Sequence, residues 1–431
     1  MRSMSLGRIM GGRAGRWLSA AAGLALAAGL AGDALAQTTL RVFVGGNARP
    51  DLVRKLLDGF EAQNPGVKAE VEVGGATSEQ QSKYLNTVLT SKDSALDLFL
   101  VDIVRTTQNQ AAGWTEPLDK YLGADKDKVM GQYLAPYREA NVFNGQVIAL
   151  PFFADAQFLY YRKDLLDKYN LKPAATWDEL AAQWKTVNAG ENNPNLQGFS
   201  TAGAPIEGTV CTYLVPLWAK GGNLTTGGKL SLDGAPSTAA FEVFSKYKAE
   251  GVLPGNIAEV VTDRIRKDMQ AGNVLYSMLW VYAYNLFQTG EDSAVKGKIG
   301  VARLPGFAAG DQPTCIGGWQ IAVSAFSKNK DAAAKLAIYL ASRESSKTLA
   351  IDGQLLPVYS ELYKDPDVLA KNPWFDAALP VLLAARARPV TPRYGEVSEV
   401  IRTNMNAFLA GTKSADDALK DMKTKLGGVF R

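Results

Sequence analysis

The stretch from Gly145 to Leu166 reads GQVIALPFFADAQFLYYRKDLL, and the fold turns on how it is taken. Gln146 to Leu150 is an apolar run stopped by Pro151. Ala156 to Tyr161 is a second apolar and aromatic run, followed by a charged helix start at Lys163-Asp164. Proline lacks the N–H that a sheet ladder needs. The pattern therefore predicts two short strands flanking a Pro-Phe-Phe-Ala-Asp core, with Pro151 at a strand end or crossing point. Asp155 stands inside this apolar core. A carboxylate there needs partners, and two readings supply them: a structural aspartate at a turn, or one that meets a bound polyhydroxyl ligand. Its place near the end of one α/β unit and the start of another favours the second.

Upstream, Thr39 to Gly45 alternates Leu40, Val42 and Val44 before Gly45-Gly46, a strand pattern. Asp51 to Asn64 sets Leu52, Val53, Leu56, Leu57 and Phe60 on one helical stripe, stopped by Asn64-Pro65-Gly66. Val67 to Val73 alternates again. Ser78 to Ser91 carries a stripe of Tyr84, Leu85, Val88 and Leu89, and Asp97 to Val101 is a short apolar strand running into Asp102. This order predicts a mainly parallel α/β sheet with ligands outside the carboxyl ends of its strands, at Gly45 to Arg49, Gly74 to Gln80 and Asp102 to Thr106. None of the three loops carries a nucleotide-binding glycine pattern. Downstream, Thr176-Trp177-Asp178-Glu179 is a capping box for a helix to about Val187. Glu207 to Lys220, Ser237 to Glu250 and Asp263 to Gln270 read as helices. Asn273 to Leu279, Lys298 to Leu304 and Gly317 to Ala325 read as strands, and from Lys330 the chain is nearly all helical. A single doubly wound domain has no need of the long helical insertion, whereas two lobes with repeated crossings do.

Composition removes several classes. The chain has no histidine, which excludes Ser-His-Asp and Cys-His triads and His-ligated zinc. Its 47 basic and 43 acidic residues leave a net charge of +4, and four of the arginines (Arg2, Arg8, Arg13, Arg16) lie in the first 36 residues. So balanced a chain is no electrostatic nucleic-acid binder. Cys211 and Cys315 are too few for a Cys-rich metal site. They can pair in an oxidising compartment, but the reading favoured here is two unpaired, buried thiols. Residues 1–36 combine a basic start, a short apolar run from Trp17 to Leu30 and a small-x-small site at Ala34-Leu35-Ala36, the pattern of a secretory signal peptide. The apolar run falls short of a membrane span, and no cysteine follows the cleavage site to take a lipid. The mature chain is expected to start near Gln37, in the periplasm, with no membrane segment of its own.

Ten short motifs, in this order and spacing, carry a family resemblance. They are Phe60-Glu-Ala-Gln-Asn-Pro-Gly-Val67, Asp97-Leu-Phe-Leu-Val-Asp102, Gly113-Trp-Thr-Glu-Pro-Leu118, Ala149-Leu-Pro-Phe-Phe-Ala-Asp155 and Leu159-Tyr-Tyr-Arg-Lys-Asp-Leu-Leu166, then Glu207-Gly-Thr-Val-Cys211, Trp280-Val-Tyr-Ala-Tyr284, Gly317-Gly-Trp319, Arg388-Pro-Val390 and Leu409-Ala-Gly411. Together they resemble the extracellular solute-binding proteins of sugar ABC importers, the group that includes the maltose- and trehalose/maltose-binding proteins. The resemblance implies an α/β fold of two lobes joined by three crossings, near Pro151 to Ala156, Val301 to Leu304 and Ser342 to Ser345. The lobes are expected at residues 37–152 plus 304–343 and 153–303 plus 344–431. It further implies a monomer that binds one sugar, expected to be a disaccharide, in the cleft and docks on the membrane subunits of an importer. No cofactor, metal or catalytic residue is implied.

The ligand-side residues that the resemblance implies are Asp102, Asp155, Trp280, Tyr282, Gly317, Trp319 and Arg388. Read alone, each aromatic favours core packing, while Gly317 also suits an ordinary turn and Arg388 a solvated loop. A sugar needs flat apolar platforms and bidentate hydrogen-bonding groups, which this set supplies. The chain departs from the group at four places. Phe153 stands where the disaccharide binders have Tyr. The run Thr77-Ser78-Glu-Gln-Gln-Ser82 lacks an Arg that reaches the sugar, leaving Ser78 as its ligand-side residue. Asn47, Arg49 or Asp51 replaces the acidic residue of the first loop, and Arg105 replaces an aromatic. Arg49 and Arg105 would suit a partly anionic ligand. Two rival readings follow: a receptor for a polyol or a phosphorylated solute, and a secreted glycosidase using Asp102 and Asp155 as its two carboxylates.

Overall fold

The structure is a computed structural model that describes residues 37–430 apart from Asn47 and Ala76. The signal-peptide expectation for residues 1–36, and the role given to Asn47, therefore lie outside the described residues. Strand β1 (Thr38–Gly45), helix α1 (Pro50–Gln63), β2 (Val67–Gly74), α2 (Ser78–Thr90) and β3 (Leu98–Asp102) form the first unit as its periodicities predict. Leu52, Val53, Leu56, Leu57 and Phe60 are the buried stripe of α1. Thr77 and Gln80 cap α2 reciprocally, which satisfies backbone donors at its start. Within this unit β1 pairs in parallel with both β2 and β3. Asp97 anchors the start of β3: its buried carboxylate accepts the Arg41 N–H at 2.9 Å and the Ser327 hydroxyl.

Of the two short strands predicted around Pro151, the first survives only as Gln146–Val147, paired with Val142–Phe143, and the second is part of one long strand that includes Pro151. β4 runs unbroken from Leu150 to Arg162. The proline is tolerated because it sits beside a bulge: Pro151 pairs with Gln320 and Phe153 with Trp319, so the ladder slips by one residue there. The chain continues through α3 (Trp177–Glu191), which has the predicted Thr176/Glu179 capping box, to β5 (Gln197–Ser200). Helix α4 (Glu207–Ala219) follows, then β6 (Val274–Trp280), α5 (Tyr282–Thr289), β7 (Ile299–Ala302), β8 (Thr314–Val323), β9 (Ala385–Arg386) and α6 (Tyr394–Leu409). All 13 residues of α4 are buried, as expected of a helix apolar on every side.

The sheet order is β2-β1-β3-β8-β4-β6-β5, with β7 also on β4 and β9 on β8. It is mixed beyond the first unit, which corrects the mainly parallel expectation. β8 is antiparallel to both β3 and β4, and β4 is antiparallel to β6 and β7. One half of β4 thus belongs to the ladder with β8 and the other half to the ladder with β6 and β7. The unpaired-thiol reading is also corrected. Cys211 on α4 and Cys315 on β8 form a disulfide across 104 positions, both residues fully buried. A sequence separation carries no geometry, so the chain alone could not reveal the pairing.

Gly318 sets the approach of β8 to β4. Its φ is 113°, a region only glycine adopts readily, and a Cβ there would lie 2.7 Å from the Phe153 carbonyl oxygen. Gly318→Ala is expected to destabilise the fold by about 2 kcal/mol or more, read as a lower urea midpoint. An unchanged midpoint would show that the ladder yields there.

Candidate functional site

Strand register brings the candidate residues together. Trp319 on β8 lies opposite Asp102 on β3 and Phe153 on β4, and Gly317 lies opposite Asp155. Trp280 at the end of β6 lies opposite Gln157, two residues beyond Asp155. Directly paired residues share a sheet face, so Asp102, Trp319, Phe153, Gly317, Asp155 and Trp280 project on one side. Gly317 is needed for this. A Cβ there would meet the Trp280 ring at 2.7 Å and Asp155 Cβ at 3.3 Å. Phe153 is 3% exposed and packs with Phe152, so it acts as a floor beneath the face rather than as an open platform.

Arg388 closes the face from above. Its Nη1 donates to Glu207 Oε1 at 2.9 Å, and its Nη2 donates to the Ile316 carbonyl at 3.1 Å. Nη2 also lies 3.6 Å from Asp102 Oδ1, and the guanidinium sits 5.7 Å from the centre of the Trp280 ring. Burial works against its charge, but Tyr394, Asp102 and Glu207 together hold its pKa above the ordinary arginine value. Ser78 donates to Asp102 Oδ2 at 2.6 Å. Arg105 Nη2 stands 3.9 Å from Glu207 Oε2, so it faces a carboxylate instead of standing free for an anion. Arg49 is not drawn into this cluster. At the start of α1 its guanidinium makes a bidentate pair with Asp51 at 2.9 and 2.6 Å. Tyr282, first residue of α5, lies within electrostatic reach of Asp263, Arg266 and Asp155, and burial raises its hydroxyl pKa.

Glu207 is the residue that sequence reasoning did not place in the site. It accepts from Arg388, from the Tyr394 hydroxyl and from Ser398 Oγ at 2.6 Å, and its backbone N–H donates to Glu79 on α2. Its sequence signals are an acid at a helix start, which any helix favours, and its place at the head of the Glu207-Gly-Thr-Val-Cys211 motif, which assigns it no role. Tyr137 is a second omission. Its hydroxyl donates to the Asp155 carbonyl at 2.5 Å and accepts the Asp155 N–H at 3.1 Å. Ser78, Asp102, Arg105, Asn109 and Trp319 line a cavity of about 10 Å³, room for one water.

Asp155 is held differently from Asp102. Its Oδ1 accepts the Val281 N–H at 2.9 Å, and no arginine or lysine pairs with it among the described residues. Burial above all pushes its pKa up to about 8. The Asp102 charge adds to the rise, while the Val281 and Ala156 N–H groups and Arg388 oppose it.

Comparison with known proteins settles the family. Residues 46–347 match the family described as bacterial extracellular solute-binding protein. The chain belongs to that family. A probable ABC transporter-binding protein of Deinococcus radiodurans is 31% identical over 353 residues, covering 79% of this chain and 81% of that one. The mannitol-binding protein of Pseudomonas aeruginosa is 24% identical, covering 86% and 88% of the two chains. The maltose-bound MalE3 of T. maritima superposes with a TM-score of 0.83 at 30% identity, covering 91% of this chain and all of that one. The fold of this solute-binding protein is therefore the two-lobe α/β fold. No helix among the described residues is long and apolar enough to cross a membrane.

The carboxyl of Asp155 has a measurable consequence. Between its ordinary value of 3.8 and about 8, the folded protein holds a proton that the unfolded chain has released. Its contribution to stability is therefore full below pH 4, declines as pH rises and is lost above about pH 8. Asp155→Asn keeps an acceptor for Val281 and removes the titration. Between pH 5 and 8 the melting temperature of the wild type should fall more steeply than that of the variant, at up to ~1.4 kcal/mol per pH unit. Parallel slopes would show that the carboxyl stays ionised.

Proposed function

We propose that this protein captures a sugar or polyol between its two lobes and delivers it to an ABC importer, with a disaccharide as the first ligand to test. The carrying observation is the single sheet face on which Trp319, Trp280, Asp102 and Asp155 meet under Arg388. Indole faces suit the C–H surfaces of a pyranose, and carboxylates beside a guanidinium suit its hydroxyl rim. The relatives support the same use: one solved relative holds maltose and another is named for mannitol. Arg49 and Arg105 both face carboxylates, so the cluster offers no spare positive charge, which favours a neutral ligand over an anionic one.

The lobes are drawn at residues 37–152 plus 304–343 and 153–303 plus 344–431. On that division Asp102, Arg105 and Glu79 belong to the first lobe, and Arg388 and Glu207 to the second. Their contacts join the two sides of the cleft directly. Ligand access thus requires those contacts to part while the Cys211–Cys315 disulfide, which on this division crosses between the lobes, keeps them tied at that point, and a ligand that bridges them stabilises closure. The receptor acts as a periplasmic monomer without a lipid anchor, binds no nucleic acid and performs no chemistry on its ligand.

A thermal-shift screen of the chain from Gln37 against maltose, trehalose, mannitol, ribitol and glycerol phosphate tests this reading. A ligand that binds only the folded state raises the melting temperature by mass action. A disaccharide hit with the sugar recovered intact is expected. A hit confined to polyols or glycerol phosphate would change the ligand, and release of glucose from maltose would make Asp102 and Asp155 catalytic. Trp319→Ala and Asp155→Ala should each weaken binding at least tenfold, about 1.4 kcal/mol. Unchanged affinity in both would move the binding face elsewhere.

A further inference from the structure

The two acceptors that fix Arg388 come from different elements. Glu207 opens α4, and the Ile316 carbonyl belongs to β8. The disulfide joins these same two elements at nearly the same places. Cys211 lies one helical turn beyond Glu207, and Cys315 immediately precedes Ile316. Cys315 also pairs in register with Arg386 on β9, two residues before Arg388. The Tyr394 hydroxyl and Ser398 on α6 complete the hold on Glu207. Every part of this arrangement is buried: both cysteines fully, Arg388 to 3% and Glu207 to 6% exposure. Arg388 Nε, also buried, has no hydrogen-bond partner among the described residues.

We propose that the Cys211–Cys315 disulfide and Glu207 are positioning groups that together preset the Arg388 guanidinium over the Trp280 ring. The disulfide sets the distance between α4 and β8, and that distance decides whether one guanidinium reaches acceptors on both. Without the covalent link, only packing and the Arg388 bridge itself hold α4 to β8, and the two Nη bonds cannot both be kept when the elements separate. That Arg388 then meets a ligand rests on the function proposed above; the brace itself does not.

The test reads Arg388 directly and needs no ligand. Phenylglyoxal modifies accessible guanidinium groups, and peptide mass spectrometry locates each adduct. In the oxidised wild type Arg388 should react slowly. In Cys211→Ala/Cys315→Ala it should react at least tenfold faster. Arg162, held by Asp164 and the Gly272 carbonyl, is the internal control and should be unchanged. Arg388 as protected in the variant as in the wild type would overturn the proposal. Equal acceleration of Arg388 and Arg162 would also overturn it, because the disulfide would then be a general staple. Should the double variant fail to fold, Glu207→Ala with the disulfide intact must release Arg388 in the same way, and continued protection there refutes the brace. A wild type that binds none of the sugars or polyols would count against the receptor and leave the labelling result standing.

Discussion

β8 lies between β3 and β4 and pairs antiparallel with both, and the site exists only in that register. All ten of its residues are buried, so neither face is free to slip towards solvent. Side chains alternate along a strand, so a shift of one residue would turn Trp319 and Gly317 to the opposite face and carry the site away from Asp102 and Asp155. Two features pin the register. The bulge between Trp319 and Gln320 takes up the extra residue beside Pro151, and Gly318 lets the backbones approach where a side chain would collide. The aromatic and acidic groups are thus placed by ladder geometry before any of their own interactions act.

The charges on that face are costly to bury and are compensated in different ways. Arg388 and Arg105 balance Glu207 and Asp102, and Tyr394, Ser398 and the Ile316 carbonyl add hydrogen bonds to Glu207 and Arg388. Such a cluster adds little net stability, yet loss of one member strands its partner at a cost of about 3–5 kcal/mol. It therefore acts to fix geometry. Asp155 has only N–H donors, and so its neutral form is favoured in the closed arrangement. A carboxyl in that state both donates and accepts, which suits a hydroxyl, itself a donor and an acceptor.

The first unit was legible because β1, α1, β2 and α2 each carry a clear period of two or 3.6, and β3 is a short apolar run of the kind a strand buried on both faces shows. The stretch from Leu150 to Arg162 misled because Pro151 is a strong local breaker, whereas the bulge that accommodates it is a property of the pair β4–β8. Asp102, Asp155, Trp280 and Trp319 were legible as a set through their motifs, though no local pattern shows that they share a face. Arg49 matched by position alone, and its neighbour Asp51 takes its guanidinium. Glu207 and the disulfide escaped for a common reason. Glu207 depends on α4 packing against α6 and the disulfide on α4 packing against β8, and nothing within any one of these segments encodes those contacts.

The position of β8 late in the chain also governs when the protein can fold. As synthesis proceeds, β3 and β4 appear early, but the strand that belongs between them follows only after the whole run through β7. Until then β3 presents an unpaired edge, and the nascent chain has no way to complete its sheet. Pairing of this kind is long-range and forms slowly. The sheet is thus completed only after the chain through β8 has been made, so its central pairings are among the last to become available.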